Sequence, residues 1–390
     1  MFKRLISDRI LHFAKQYKCL SLIGPRQSGK TTLCRHLFPN HEYFNFENPN
    51  IRDRFEIDPI GFLSSTQNHV IFDEVQNVPQ IFSYLQEELD NPTSQKRYVL
   101  TGSNNLKLNQ KISQSLAGRT KIIEILPLTF NEIPASFVST DLNKIMFYGG
   151  YPRIFKEKLE PQDWLGEYFF TYVEKDIRST LQIQDANLFN RFCRLLAGRV
   201  GQLVNHQSLA GDLGLSQPTA KSWLSLLETT YICFTLSPHF RNFNKRITKA
   251  PKIFFYDTGL LCYLLRIQTP EQLDLHPLRG QIFENWVISE ALKHFRNKAQ
   301  EAPLYFWRDQ HGHEVDLVLD RGIHLDLYEI KSGATFQKDF LRQLNWLNKL
   351  QEGKGTQHVI YGGQESFNIL DSHVHPWNTI NESLFKFSEK

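Results

Sequence analysis

The residues of this chain best suited to chemistry begin with the run Gly24-Pro25-Arg26-Gln27-Ser28-Gly29-Lys30-Thr31-Thr32, a G-x-x-x-x-G-K-T spacing. Its glycines free a loop to turn successive backbone N–H groups toward one anion, Lys30 adds an ammonium, and the Thr31 hydroxyl can reach a magnesium ion. The apolar run Cys19–Ile23 before it reads as a buried strand, and Lys30–Phe38 after it as a helix stopped by Pro39. Strand, loop and helix in that order bring a polyphosphate to a helix N-terminus. Gly24 to Thr32 are therefore the expected nucleotide-binding residues, with ATP and Mg2+ as cofactors. Arg26 is either a further phosphate contact or an outward charge.

A second group follows at strand ends. His69–Phe72 delivers Asp73, placed to order the metal with Thr31, and Glu74, placed to polarise the attacking water. The strand Arg97–Thr101 ends at Gly102 and Ser103, whose hydroxyl is placed to sense the γ-phosphate or hold the water. Arg119, closing Ser115-Leu116-Ala117-Gly118, reads two ways. It is a surface arginine, or a transition-state cation acting within its subunit or across an interface between copies. Lys30, Asp73, Glu74, Ser103 and Arg119 form the expected catalytic set.

The third group lies near the C-terminus. His311–Gly333 reads as two strands joined by Asp320-Arg321-Gly322. Alternation puts Glu314, Asp316 and Val318 on one face of the first, and Leu327, Glu329 and Lys331 on one face of the second. Asp316 and Glu329 can then meet over a hairpin and hold a divalent cation, with Lys331 beside them to neutralise a phosphoryl oxygen. Upstream, Glu284 falls among Ile282, Phe283, Trp286 and Val287, where a carboxylate needs a partner such as the same metal cluster. Against this stands a solvated strand face, since Glu352-Gly353-Lys354 repeats the Glu-x-Lys spacing in a turn with no helper aspartate.

These residues need elements to hold them. The chain has 390 residues with 41% apolar and 22% charged side chains, the composition of a globular protein with several cores. Its 30 Phe and 14 Tyr favour well-filled interiors. A net charge of +4 confines any nucleic-acid surface to a local patch. Five scattered cysteines without metal spacing read as reduced thiols of a cytoplasmic protein, and neither a signal segment nor a membrane span is expected. Strands alternating with helices predict an α/β parallel sheet over 1–135, whose ligands lie beyond the carboxyl ends of its strands. A helical connector over 136–190, including a helix from Trp164 to Leu181, carries no chemistry of its own.

Over 191–265 a short helix with Leu209, Ala210 and Leu213 turns at Gly214-Leu215-Ser216 into a second that presents Gln217, Thr219, Lys221, Ser222 and Ser225. The strands Tyr231–Leu236 and Lys252–Asp257 complete a winged-helix pattern. Between them Arg241, Lys245, Arg246, Lys249 and Lys252 alternate with Phe240 and Phe243, and no acidic residue occurs from Thr229 to Tyr256. DNA is the expected partner of that helix and of the loop Arg241–Lys252. A solvated hairpin or a protein-docking surface is the alternative. The remainder, 266–390, carries the third group.

GPRQSGKTTL, VIFDEVQNVP, LTGS, LAGR, GGYPR, YVEKDI, KIFFYDTGL, GQIFENWV and HEVDLVL with YEIKSG occur in this order. Together they resemble a prokaryotic family that joins an AAA-type ATPase domain (AAA_14) to a C-terminal DUF4143 region. The resemblance spans nearly the whole chain. It implies ATP binding at Gly24–Thr32 and Walker-B chemistry at Asp73 and Glu74. It further implies a C-terminal module similar to PD-(D/E)xK nucleases, mapped onto Glu284, Asp316, Glu329 and Lys331. Two functions follow: an ATPase coupled to DNA engagement with metal-dependent cleavage, or a nucleotide switch whose C-terminal module binds protein or nucleic acid without cutting it.

Overall fold

Short runs of aliphatic and aromatic residues become β1 (Cys19–Gly24), β2 (Glu42–Asn45), β3 (His69–Asp73), β4 (Arg97–Ser103) and β5 (Thr120–Glu124), and β1, β3 and β4 stop at Gly24, Asp73 and Ser103. The computed structural model describes residues 2–103, 116–137, 141–177, 183, 185–239, 249–351, 353–380 and 385, without the side chains of 103 and 174–177. The five strands form one parallel sheet in the order β2-β3-β4-β1-β5. Alternate residues feed two cores. Cys19, Ile23, Val70, Phe72, Tyr98 and Leu100 pack with Phe55, Phe62, Phe82 and Leu85 on one side. Leu20, Leu22, Ile71, Val99 and Ile123 pack with Ile6, Ile10, Phe13, Leu33 and Cys34 on the other. Burial on both faces is why the inner strands β1 and β3 read as largely apolar runs.

Beyond β5 the chain turns helical. The expected helix over Trp164–Leu181 is composite: an α-helix, Pro161–Tyr168, passes into a π-helical stretch, Phe169–Ile177. Residues 178–182 lie outside the described set. Helices Ala186–Ala197, His206–Gly211 and Gln217–Thr229 follow, their N-termini capped by the side chains of Asp185, Asn205 and Ser216. The last leads into an antiparallel ribbon of β6 (Cys233–Leu236) and β7 (Lys252–Phe255).

The C-terminal part is a mixed sheet in the order β12-β13-β11-β10-β9-β8, built from β8 (Leu304–Arg308), β9 (Glu314–Asp320), β10 (Leu325–Lys331), β11 (Gly355–Tyr361), β12 (Phe367–Ile369) and β13 (Ser372–Pro376). The helix Arg279–Asn297 packs against one face of it and Arg342–Leu350 against the other. One apolar core runs from Phe130 through the helices and the ribbon to Trp377 and Phe385, so the segments after residue 130 are packed around a shared interior. Among the described residues no helix is long and apolar enough to cross a membrane.

Candidate nucleotide site and a C-terminal carboxylate cluster

The loop after β1 owes its shape to two glycines. Gly24 has φ 146°, and a Cβ there would lie 2.3 Å from the Ile125 carbonyl oxygen, so only glycine lets this strand end pass its neighbour. Gly29, at φ 92°, caps the helix Lys30–Leu37. Lys30 is 5% exposed, and its ammonium donates to the carbonyls of Gly24 at 3.1 Å and Pro25 at 2.7 Å. Burial pulls its pKa down to about 8, partly offset by Glu74 and Asp73 nearby. Among the described residues no carboxylate is in hydrogen-bond contact with that ammonium, so the loop holds a buried cation whose hydrogen bonds run only to neutral carbonyls.

Asp73 ends β3 where the strand-end rule put it. The Thr31 hydroxyl donates to both its carboxylate oxygens, at 3.1 and 2.9 Å, the Tyr43 hydroxyl donates at 2.6 Å, and Thr101 adds a third hydroxyl. The two side chains expected at a magnesium ion therefore already touch. This donor set, a hydroxyl and a carboxylate beside a loop of backbone amides, fits a hard cation bound together with phosphate. Glu74 is left-handed (φ 56°) and takes a hydrogen bond from Gln76. Gln27, also left-handed at φ 63°, and Glu74 both face the cavity, the setting in which backbone strain collects. Ser103 ends β4 opposite Gly24, at the same edge of the sheet; its side chain lies outside the described residues. Arg26 places its guanidinium 5.3 Å from the ring of Tyr172, which ties the loop to the π-helical stretch.

Of the two readings of Arg119, its placement bears on the one within its own subunit. It precedes β5, whose Thr120 is in register with Cys19, the first residue of β1. It therefore stands at the amino edge of the sheet, the length of β1 away from the phosphate loop, and pairs with Asp90 at 2.6 Å. A role at its own subunit's nucleotide is ruled out by that placement.

A cavity of about 840 Å³ opens over the loop. Its lining joins Arg26, Gln27, Lys30, Thr31, Thr32 and Glu74 to the apolar Phe2, Leu128, Pro134, Phe137 and Phe155 and to Pro152, Arg153, Lys156, Glu157 and Lys158. The connector, expected to carry no chemistry, thus supplies a wall of the site. Two buried networks hold it. Asp257 accepts from the N–H of Gly150 at 2.7 Å and of Leu260 at 2.9 Å, fixing the turn before Pro152. Lys293 donates to the Leu128 carbonyl at 3.1 Å and pairs with Glu290, which accepts the Phe130 N–H at 2.9 Å. Arg4 was not anticipated either. It is 5% exposed, bonds Glu132 at 3.1 Å, and donates to the carbonyls of Ser28 at 2.8 Å and Leu126 at 2.6 Å, bracing the phosphate loop from behind.

In the C-terminal sheet the pairing of β8 and β9 slips between Tyr305/Val318 and Trp307/Val315, leaving an extra residue on β9 at Asp316–Leu317. The expected single face of Glu314, Asp316 and Val318 is broken there: Val315 and Val318 enter the same core. The β10 partner then loses its carbonyl acceptor, and the Asp316 carboxylate takes the Ile330 N–H at 2.8 Å. Lys331 bridges Asp316 at 3.4 Å and Glu329 at 2.5 Å. Glu329 is 6% exposed, and its Oε2 has no hydrogen-bond partner among the described residues. Burial, with Asp316 nearby, pushes the Glu329 carboxyl up to about 8, and burial lifts Glu284 to about 7 against the pull of Lys252. Glu284, Asp316, Glu329 and Lys331 are thus brought together as expected.

Lys252 is misplaced by sequence reasoning. Counted as the last cation of a solvent-facing basic loop, it is 2% exposed and pairs with Glu284 at 2.9 Å and Glu314 at 2.5 Å. Those carboxylates raise its pKa in spite of burial. Lys249 is exposed, while Arg241, Lys245 and Arg246 lie outside the described residues.

Residues 16–134 match the AAA domain family AAA_14, 139–271 the domain of unknown function DUF8612, and 279–380 the domain of unknown function DUF4143. An uncharacterized protein of Mycobacterium tuberculosis is 31% identical over 80% of this chain and 70% of its own length. The chain belongs to the AAA_14–DUF4143 ATPase family. An uncharacterized protein of Haemophilus influenzae is 25% identical over 67% of this chain and 74% of its own length. A Walker-type ATPase of Pyrococcus abyssi is similar in structure over 68% of this chain and 96% of its own, with a TM-score of 0.46 and 14% identity. The AAA_14 match covers the parallel sheet and the phosphate loop, and the DUF4143 match covers the carboxylate cluster.

Proposed function

We propose that this family member binds and hydrolyses ATP with Mg2+ and couples its nucleotide state to DNA. The observation that carries the reading is Lys30: a buried ammonium at a helix N-terminus, bonded among the described residues only to carbonyls and open to the cavity, is completed by a polyphosphate. Gly24 to Thr32 hold the phosphates, and Thr31 and Asp73 hold the magnesium ion. Glu74 orients the attacking water, and Ser103 lies at the strand end from which it can contact it. Phe2, Phe137 and Phe155 receive the base. Phe137→Ala is expected to weaken ATP binding about tenfold, within the range of one base–aromatic stack, while inorganic triphosphate binding stays unchanged. Titration with both ligands checks this.

The helices Ala186–Ala197, His206–Gly211 and Gln217–Thr229 with the β6–β7 ribbon serve as a winged helix between the connector (136–190) and the C-terminal module (266–390). Gln217, Lys221, Ser222 and Ser225 are exposed on the last helix, with no carboxylate among them, which supports contact with a phosphate backbone. Lys221→Ala should lower DNA affinity at every sequence and reduce the salt slope by about 1. Arg119, unsuited to its own nucleotide, is left the role of a cation presented to a neighbouring copy in a homo-oligomer. A cytoplasmic setting accords with the free cysteines.

The decisive measurement is phosphate release with and without DNA, in wild type and in Glu74→Gln. DNA stimulation that vanishes in Glu74→Gln supports the reading; normal hydrolysis in Glu74→Gln overturns the site assignment. A second reading, a switch that binds through its C-terminal module without cutting, is favoured by Lys252 and Lys331, which already occupy the carboxylates. Plasmid cleavage in Mn2+ that is lost in Asp316→Ala supports nuclease activity at Asp316, Glu329, Glu284 and Lys331; absence of cleavage supports the switch.

A further inference from the structure

Arg26 stands between two claims. It lies in the phosphate loop and lines the nucleotide cavity with Lys30 and Thr31. Together with burial, its charge pulls the Lys30 pKa down, so the guanidinium is felt where a phosphate would sit. That guanidinium also lies 5.3 Å from the centre of the Tyr172 ring, a cation laid over an aromatic face. Tyr172 is 5% exposed and belongs to the π-helical stretch Phe169–Ile177, a backbone form that is rare and collects at functional sites.

The same tyrosine touches the end of the helix that the DNA reading depends on. Its hydroxyl donates to the carbonyl of Thr230 at 3.5 Å, and Thr230 is the residue on which the helix Gln217–Thr229 closes. The next residue, Tyr231, is left-handed at φ 60°, and its hydroxyl donates to Glu124 on β5 at 3.0 Å. The exit of that helix is therefore tied to the parallel sheet at β5 and, through Tyr172, to the phosphate loop. The Tyr172 ring also lies 5.4 Å from that of Tyr168, which lies 4.8 Å from that of Tyr151, the residue before Pro152 in the cavity lining.

We propose that Tyr172 is a positioning residue that reads phosphate occupancy through Arg26 and carries it to the exit of the helix Gln217–Thr229, so that DNA affinity follows the bound nucleotide. The inference rests on the ATP-and-DNA reading above and adds to it the residue that joins the two. Charge-assisted bonds to a phosphate exceed the hold of a ring face on a guanidinium, so a polyphosphate in the cavity draws Arg26 off Tyr172. Relieved of that cation, the ring resettles between Tyr168 and Thr230, and the helix exit moves with it. By reciprocity, DNA that fixes the helix exit changes nucleotide affinity by the same factor.

The test is the affinity of the full-length chain for a fluorescent DNA duplex, read by anisotropy without nucleotide and with saturating AMP-PNP and Mg2+. Wild type should show a difference of about fivefold or more between the two states, the lower end of ordinary coupling. Tyr172→Leu should erase that difference, whereas Tyr172→Phe, which keeps the ring under Arg26, should keep most of it. AMP-PNP affinity in the absence of DNA should not weaken in either variant, an outcome that mere damage to the packing would not give. Because Tyr172 is buried, Arg26→Met is prepared in parallel; Arg26 is exposed, so this change leaves the core intact, and it should erase the same difference. A full nucleotide-dependent difference in folded Tyr172→Leu, or in Arg26→Met, overturns the relay and leaves the ATP-and-DNA reading standing. A wild-type chain whose DNA affinity ignores AMP-PNP removes the coupled reading itself, and the relay with it.

Discussion

Lys30→Ala should reduce ATP hydrolysis by on the order of 10²–10³-fold, the usual consequence of deleting one preorganised charge from a phosphate-stabilising site. The geometry argues for the upper end. The ammonium is buried, and its hydrogen bonds run only to the carbonyls of Gly24 and Pro25. Alanine leaves those two carbonyls facing the phosphates with no positive charge between them. Fold should be untouched, since Leu33 and Cys34 continue to anchor the helix in the core. The paired measurements are phosphate release at saturating ATP and nucleotide affinity by titration. Normal turnover in this variant would mean that the cavity over the loop serves another ligand.

Arg4→Ala should cost about 3–5 kcal/mol of stability, because it leaves Glu132 as a buried carboxylate without its countercharge. Arg4 and Glu132 have side-chain exposures of 5% and 0%. Glu132 also accepts the N–H groups of Leu5 at 2.7 Å and Thr129 at 2.9 Å, so it cannot turn away to find water. Arg4 further donates to Ser28 within the phosphate loop, and nucleotide affinity should fall along with the denaturation midpoint. Arg4→Lys should not rescue either quantity. The guanidinium serves Glu132, Ser28 and Leu126 from three nitrogens, a fork that a single ammonium cannot reproduce. Urea unfolding monitored alongside nucleotide titration reads both effects.

The phosphate loop was legible because its requirements are local: Gly24 and Gly29 answer to backbone geometry within a few residues, and Thr31 meets Asp73 because both lie at the carboxyl edge of adjoining elements. Arg119, left open between a surface charge and a transition-state cation, was open to the same rule. An arginine that begins a parallel strand stands at the amino edge, whichever motif surrounds it. Arg4 could not be read at all, since its partner is 128 residues away in the sequence. Lys252 was misjudged from its basic neighbours; its burial is set by Glu284 and Glu314, 32 and 62 positions on. The bulge at Asp316 defeats alternation, because register belongs to the pair of strands and not to either sequence.

Part of the lining of the nucleotide cavity comes from Pro152, Arg153 and 155–158, downstream of the stretch that carries the phosphate loop and its acids. Severed near residue 135, the N-terminal lobe would keep its grip on phosphate and lose the surface that shuts the base and sugar away from water. The complete cavity is thus a property of the joined chain. Any partner that pries the helical region from the lobe would strip away that lining and the Tyr172 ring that packs on Arg26 of the phosphate loop.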